Sequence, residues 1–159
     1  MIAGCLSLLR HLLPSSTSCA WSLRHISPLI WRRVLVRSGT TVADLHVMLQ
    51  TVSGWSNEHL HCFVIQGRRY GNGGRADQGR VWLSDLGLRV GERWLYEYDF
   101  SDGWQHDIRL EQIWSLEPRR QYPVCIGGQR TAHPKIVAAS GPSWSCSSTT
   151  RRPASLHGC

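Results

Sequence analysis

The sequence predicts an α+β fold: a mostly antiparallel β-sheet packed by one main helix, at about residues 41–53, and by short helical elements. Three observations predict it. Residues 17–36 alternate apolar and small polar side chains around a turn at Pro28. Val42, Leu45, Leu49 and Val52 recur at the three-to-four-residue spacing of one helix face. YEYDFSDGWQHDI, at 96–108, gathers aromatic residues, four acids and a histidine around an Asp-Gly turn.

Taken in order, Thr17, Cys19, Trp21 and Leu23 alternate with Ser18, Ala20 and Ser22 and make a first strand. Pro28 has no N–H for a ladder, so the chain turns there and IWRRVLV (30–36) returns as an antiparallel partner, with Arg32 and Arg33 on opposite faces. Thr40 or Thr41 caps the helix, Asp44 sits in its first turn where the dipole favours negative charge, and Gly54 ends it. HLHCFVIQG (59–67) is apolar on both faces and reads as an inner strand, GRRYGNGGRADQGR (67–80) as a Gly-rich polar loop, and VWLSDLGL (81–88) as a short turn-like element. Residues 93–114 form a second hairpin.

Two registers compete in that hairpin. A two-residue Asp102-Gly103 loop sets Phe100, Tyr98 and Tyr96 against Gln105, Asp107 and Arg109. A three-residue Ser101-Asp102-Gly103 loop pairs Phe100 with Trp104, Tyr98 with His106, Tyr96 with Ile108 and Trp94 with Leu110. A one-residue slip exchanges faces, so the hydrophobic pattern selects the second, with the rings inward. It also places Glu97 opposite Asp107, a like-charge pair that Arg109 or solvent must offset.

The 159 residues suit one domain with a real core, and 42% hydrophobic residues with 8 Trp mark a globular chain. No apolar run approaches the ~20 residues of a membrane span. The net charge of +7 suggests nucleic acid less than it first does, because all 11 acids lie at or before Glu117 and residues 1–125 carry only +3. Six cysteines without a C-x-x-C spacing argue for a reduced, cytoplasmic protein. The opening MIAGCLSLLRHLLP has an apolar run broken by Arg10 and no positive segment before it, so residues 1–16 read as a ragged, disordered leader.

LRHISPLIWRRVLV (23–36), TTVADLHVMLQTVSGWSNEHLHCF (40–63), VGERWLYEYDFSDGWQHDIRLE (90–111) and YPVCIGG (122–128) together resemble the plasmid pRiA4b ORF-3-like domain family, found in plasmid-borne proteins and in insertion-element passenger proteins labelled TnpR. The resemblance covers roughly residues 20–132 and implies a compact α+β domain, placed here at 17–128. It implies no biochemical activity. Family members continue after YPVCIGG with Pro-Pro-Glu-Asp-Cys-Gly-Gly and an acidic, Leu-rich helix, whereas this chain reads AHPKIVAAS (132–140). Codons such as GCC CAC CCG AAG ATT GTG GCG GC, one of the sets that can encode Ala132 to Ala139, spell that family motif when read from the last base of the first. A frameshift between about 128 and 132 is therefore expected, with 129–159 an unselected, low-complexity tail.

The strongest chemical cluster joins WSNEHLH (55–61) to DFSDGWQH (99–106). His59 and His61, two apart on one strand, can both reach a metal, and Asp99, Asp102 and His106 could complete a His/carboxylate set. Against this, His61 shares its face with Phe63 and Ile65, and His106 lies on the aromatic face, so structural roles are favoured. Cys125 has no adjacent base and reads as structural, and GNGG (71–74) lacks the Lys and Ser/Thr of a phosphate loop. No recombinase active site can be assembled. Arg32, Arg33, Arg68 and Arg69, with the further pair Arg119-Arg120, could contact phosphate. The expectation is a mobile-element passenger acting as a non-enzymatic binding or accessory module, with nucleic acid or a protein of the element as partner and no cofactor. The alternative is a metal-dependent hydrolase that uses a divalent metal at the His/Asp cluster.

Overall fold

The computed structural model describes residues 15–74 and 76–130. Strands β1 (Ser15–Leu23) and β2 (Trp31–Arg37) precede helix α1 (Val42–Ser53). Then come β3 (His61–Ile65), β4 (Arg68–Gly71), two 3₁₀ turns (Gln78–Arg80 and Leu83–Leu86), β5 (Arg93–Tyr98), β6 (Trp104–Ser115) and β7 (Val124–Gln129). The strands form one sheet in the order β4-β3-β5-β6-β1-β2-β7, antiparallel at every pairing. The α+β class holds, with a small helical share.

One face of the sheet is aromatic and buried. Trp21 and Leu23 of β1, Phe63 of β3, Trp94, Tyr96 and Tyr98 of β5, and Ile108 and Leu110 of β6 form a single core with Val42, Leu45 and Leu49 of α1. The helix is held at both ends by its own residues. Thr41 Oγ1 accepts from the Asp44 N–H and Asp44 Oδ2 from the Thr41 N–H, a reciprocal capping box, and Gly54 closes the C-terminus at φ 70°. Its buried stripe departs from the expected one. His46, Gln50 and Ser53 are buried, while Val52 is only half-buried and turns to the opposite flank.

Residues 67–80 are not a loop throughout. Gln66 and Gly67, at φ 50° and 75°, close a two-residue turn between paired Ile65 and Arg68, and β4 follows as an edge strand. His59 lies before β3 rather than on it. β1 begins at Ser15, inside the expected leader, and β7 carries the fold to Gln129; the rest of the leader and residues 131–159 lie outside the described residues.

The β5–β6 hairpin keeps its expected faces but moves by two residues. Tyr98 pairs with Trp104, Tyr96 with His106 and Trp94 with Ile108, leaving the five residues 99–103 as the loop. Asp99 takes a left-handed conformation, φ 54°, and its Oδ1 accepts from the backbone N–H groups of Ser101 (3.2 Å) and Asp102 (3.4 Å) and from the Ser101 hydroxyl. This Asx turn ends the ladder one inward residue early and leaves Phe100 45% exposed. The expected Glu97–Asp107 opposition disappears: Glu97 faces Gln105, whose Nε2 donates to Glu97 Oε1 at 3.2 Å.

This register separates two substitutions. Phe100→Ser should change stability by under about 0.5 kcal/mol, as a surface replacement does. Leu45→Ala, at a fully buried site, should remove about 2–5 kcal/mol. Urea unfolding of both variants measures this, and a costly Phe100→Ser would restore the three-residue loop.

Candidate functional site

The polar chemistry of the buried face centres on a histidine outside the expected cluster. His46 Nε2 lies 2.6 Å from Asn57 Oδ1, and Nδ1 lies 2.8 Å from the Tyr96 hydroxyl. Asn57 Oδ1 is an acceptor, so His46 carries its proton on Nε2 and accepts from Tyr96 at Nδ1. Gln50 Nε2 donates to the Tyr96 oxygen at 2.8 Å, and Gln50 Oε1 accepts from the Asn57 N–H at 3.1 Å. The four residues close a ring of hydrogen bonds joining α1, the loop after it and β5. A neutral His46 satisfies every member, whereas a second ring proton would meet the already donating Tyr96.

His61 stacks on His46 with centroids 3.5 Å apart and planes 8° from parallel. Its Nε2 donates to Gln78 Oε1 at 2.9 Å. Gly71 packs against it at φ 104°, where a Cβ would fall 2.8 Å from the His61 carbonyl oxygen and 3.1 Å from its ring. The glycine in GNGG thus serves close approach to an imidazole. Burial, then the neighbouring His61, push the His46 pKa down to about 4, against the opposing Asn57 hydrogen bond. Burial also lowers that of His61, opposed by Gln78.

The five expected residues do not gather into one site, although His59 and Asp99 do meet. His106 is fully buried, stacked on Trp21 with centroids 5.0 Å apart. Its Nδ1 donates to the Tyr96 carbonyl at 3.3 Å, and Nε2 has no partner among the described residues. A proton there would be buried and unpaired, and burial takes the pKa down to about 3, against the Tyr96 carbonyl. His59 is exposed; its Nδ1 lies 3.6 Å from Asp99 Oδ2 and its ring meets the edge of Tyr98. Asp99 is occupied in capping its loop, and Asp102 is exposed. Among the described residues no three His, Cys, Asp or Glu side chains are grouped to hold a metal ion. The sequence does carry a signal for the residue it missed: His46 and Gln50 each follow a stripe leucine, four residues apart, which puts two polar groups along one flank of the buried face.

The arginines do not form one surface either. β4, with Arg68 and Arg69, lies five strand positions from β2, with Arg32 and Arg33, about 24 Å at the usual spacing. Arg33 grips Glu111 with two hydrogen bonds, one through Nη2 at 2.9 Å. Arg69 lies 3.6 Å from Glu97, and Arg32 Nη1 donates to the carbonyls of Trp31 and Gln129. Arg120 pairs with Glu117 at 2.8 Å, and Arg68 is exposed.

A seven-stranded antiparallel sheet with one helix locked across its aromatic face defines the class: a small α+β scaffold whose buried histidines, His46, His61 and His106, are committed internally. The chain belongs to the family described as plasmid pRiA4b ORF-3-like protein, which residues 17–141 match. It is 35% identical over 127 residues to the uncharacterized protein y4hQ of Sinorhizobium fredii, a match that covers 76% of this chain but 59% of that one. The chain therefore spans less than two thirds of that relative. The crystal structure of MM3350, a protein of unknown function from Methanosarcina mazei, superposes with a TM-score of 0.68 at 33% identity, covering 76% of this chain and 72% of the other.

The neutral histidines set a pH dependence. His46 and His106 have folded-state values of about 4 and about 3 against an ordinary 6.5, so the unfolded chain binds more protons between those values. Their stabilisation is fully present above about pH 6.5 and falls away as pH drops through the folded values. Urea midpoints should decline steadily from about pH 7 to about pH 4 with net proton uptake on unfolding; a flat profile would contradict the neutral assignment. Tyr96→Phe, which opens the ring of hydrogen bonds, should lose about 1–3 kcal/mol at neutral pH.

Proposed function

We propose that this domain is a non-enzymatic binding or accessory module whose partner is a protein rather than nucleic acid. One observation carries the reading: the groups that could do acid–base or metal chemistry are dispersed, and of the buried histidines His46 is neutral and engaged in holding helix to sheet while His106 is neutral and stacked on Trp21. The preference for a protein partner follows from the arginines. Pairs such as Arg33–Glu111, Arg69–Glu97 and Arg24–Asp107 cancel charge along the sheet, and the remaining cations are not gathered into a phosphate-tracking stripe.

Double-stranded DNA should be bound no more tightly than about 10⁻⁶ M at physiological salt, the non-specific range. Tighter binding that weakens steeply with salt and is lost in an Arg68→Ala/Arg69→Ala variant would overturn the choice of partner.

Two finer statements belong to this reading. The chain is a cytoplasmic passenger of a mobile element, supported by the plasmid origin in the family's description. Its frame changes near residues 128–132, supported by the codon sets that Ala132 to Ala139 permit, one of which spells Pro-Pro-Glu-Asp-Cys-Gly-Gly in the shifted frame. Resequencing the gene across Ala132 to Ala139 tests the second; codons that cannot encode that motif in the shifted frame dispose of it.

A further inference from the structure

A groove of about 290 Å³ runs between the outer flank of α1 and the β7 end of the sheet, lined by Val34, Val47, Met48, Val52, Pro123 and Val124. Val47 is 56% exposed, and Val52 faces this side rather than the core. The charged residue on the lining is Asp44. Its Oδ2 accepts from the Thr41 N–H and hydroxyl, and Oδ1 takes no part in that cap. Neither α1 nor β7 contains a Lys or Arg, in a chain whose net charge is +7. The result is an apolar trough with negative charge at one end.

We infer that the groove receives an extended segment of a protein partner, aliphatic at alternate positions and carrying a Lys or Arg that pairs with Asp44. This rests on the reading that the partner is a protein. Shape selects an extended chain over a helix. From Asp44 to Val52 the helix rises about 12 Å, so the volume corresponds to a cross-section of about 24 Å², roughly 5 Å across. A helix, about 10–12 Å wide with its side chains, does not fit. A strand presents one row of side chains on a face, and four of its residues cover about 13 Å, the length available. Charge selects the base. Asp44 repels a phosphate chain or an anionic lipid headgroup, whereas a Lys or Arg seated over it meets no competing cation on α1 or β7. Backbone pairing is not required of the segment, since the aliphatic side chains and the one base account for its recognition.

The probes are two peptides, acetyl-Lys-Val-Thr-Val-Thr-amide and its counterpart with Glu in place of Lys, titrated into the isotope-labelled full-length protein. Amide resonances of Val47, Met48, Val52 and Val124 should shift, and the Lys peptide should bind about fivefold more tightly. The protein's net positive charge favours the Glu peptide, so unspecific attraction gives the opposite order. Asp44→Asn should bring the two affinities level, and Val47→Ser should weaken both by about tenfold. If Asp44→Asn loosens the helix cap enough to lose the fold, Val47→Ser and the order of the two peptides give the answer. No shift at those amides, equal affinities for the unsubstituted protein, or tighter binding of the Glu peptide overturns the inference. So does a concentration-dependent dimer in sedimentation that Val47→Ser abolishes, which makes a second copy the occupant. DNA bound more tightly than about 10⁻⁶ M sinks the reading of a protein partner, whereas failure of both peptides sinks the groove alone.

Discussion

The Tyr96 hydroxyl is where sheet, helix and the loop after the helix are joined, and the rest of the arrangement follows from it. Tyr96 stands on β5, with β3 on one side and β6 on the other, and its ring is fully buried. A buried hydroxyl must find partners, and it finds His46 and Gln50, one helical turn apart on α1. Apolar burial brings the helix to the sheet. The two hydrogen bonds set where along the sheet it stops, since sliding by a residue would leave the hydroxyl, an imidazole and an amide unpaired together. Asn57 then completes the ring and fixes the chain leading into β3, which places His61 against His46.

The two faces of the sheet handle polarity in opposite ways. Inside, histidines are neutral and paired with amides, a hydroxyl and a carbonyl, because an imidazolium there would lack both water and a counter-charge. Outside, charges are kept and matched across strands: Arg33 on β2 with Glu111 on β6, Arg69 on β4 with Glu97 on β5. Such pairs contribute little stability when exposed. They do offset part of the positive charge along the sheet. The relatives y4hQ and MM3350 are themselves described as uncharacterized and of unknown function.

Where the sequence was legible, local rules were sufficient. Thr41, Asp44 and Gly54 bound the helix because capping needs only residues a few positions apart. The inward face of β5–β6 was legible because parity along a strand is local, and either odd loop length keeps Tyr96 and Tyr98 beside the core. Loop length itself was not. It depends on Asp99 entering the left-handed region and gathering the N–H groups of Ser101 and Asp102, which competes with one more aromatic pair. β4 was obscured by its glycines, whose role becomes visible only when His61 is seen pressed against Gly71.

The sequence alone determined the antiparallel sheet with one capped helix, the aromatic face of the last hairpin and the family, since all of these rest on periodicity and contiguous motifs. Only the tertiary structure decided which polar residues meet. His59 and His61, neighbours in the chain, part company at the start of β3, while His46 and His61, fifteen positions apart, come to lie ring on ring. The physical reason is that contact between a helix and a strand is governed by packing depth and rotation across the core, and no spacing along a chain encodes either.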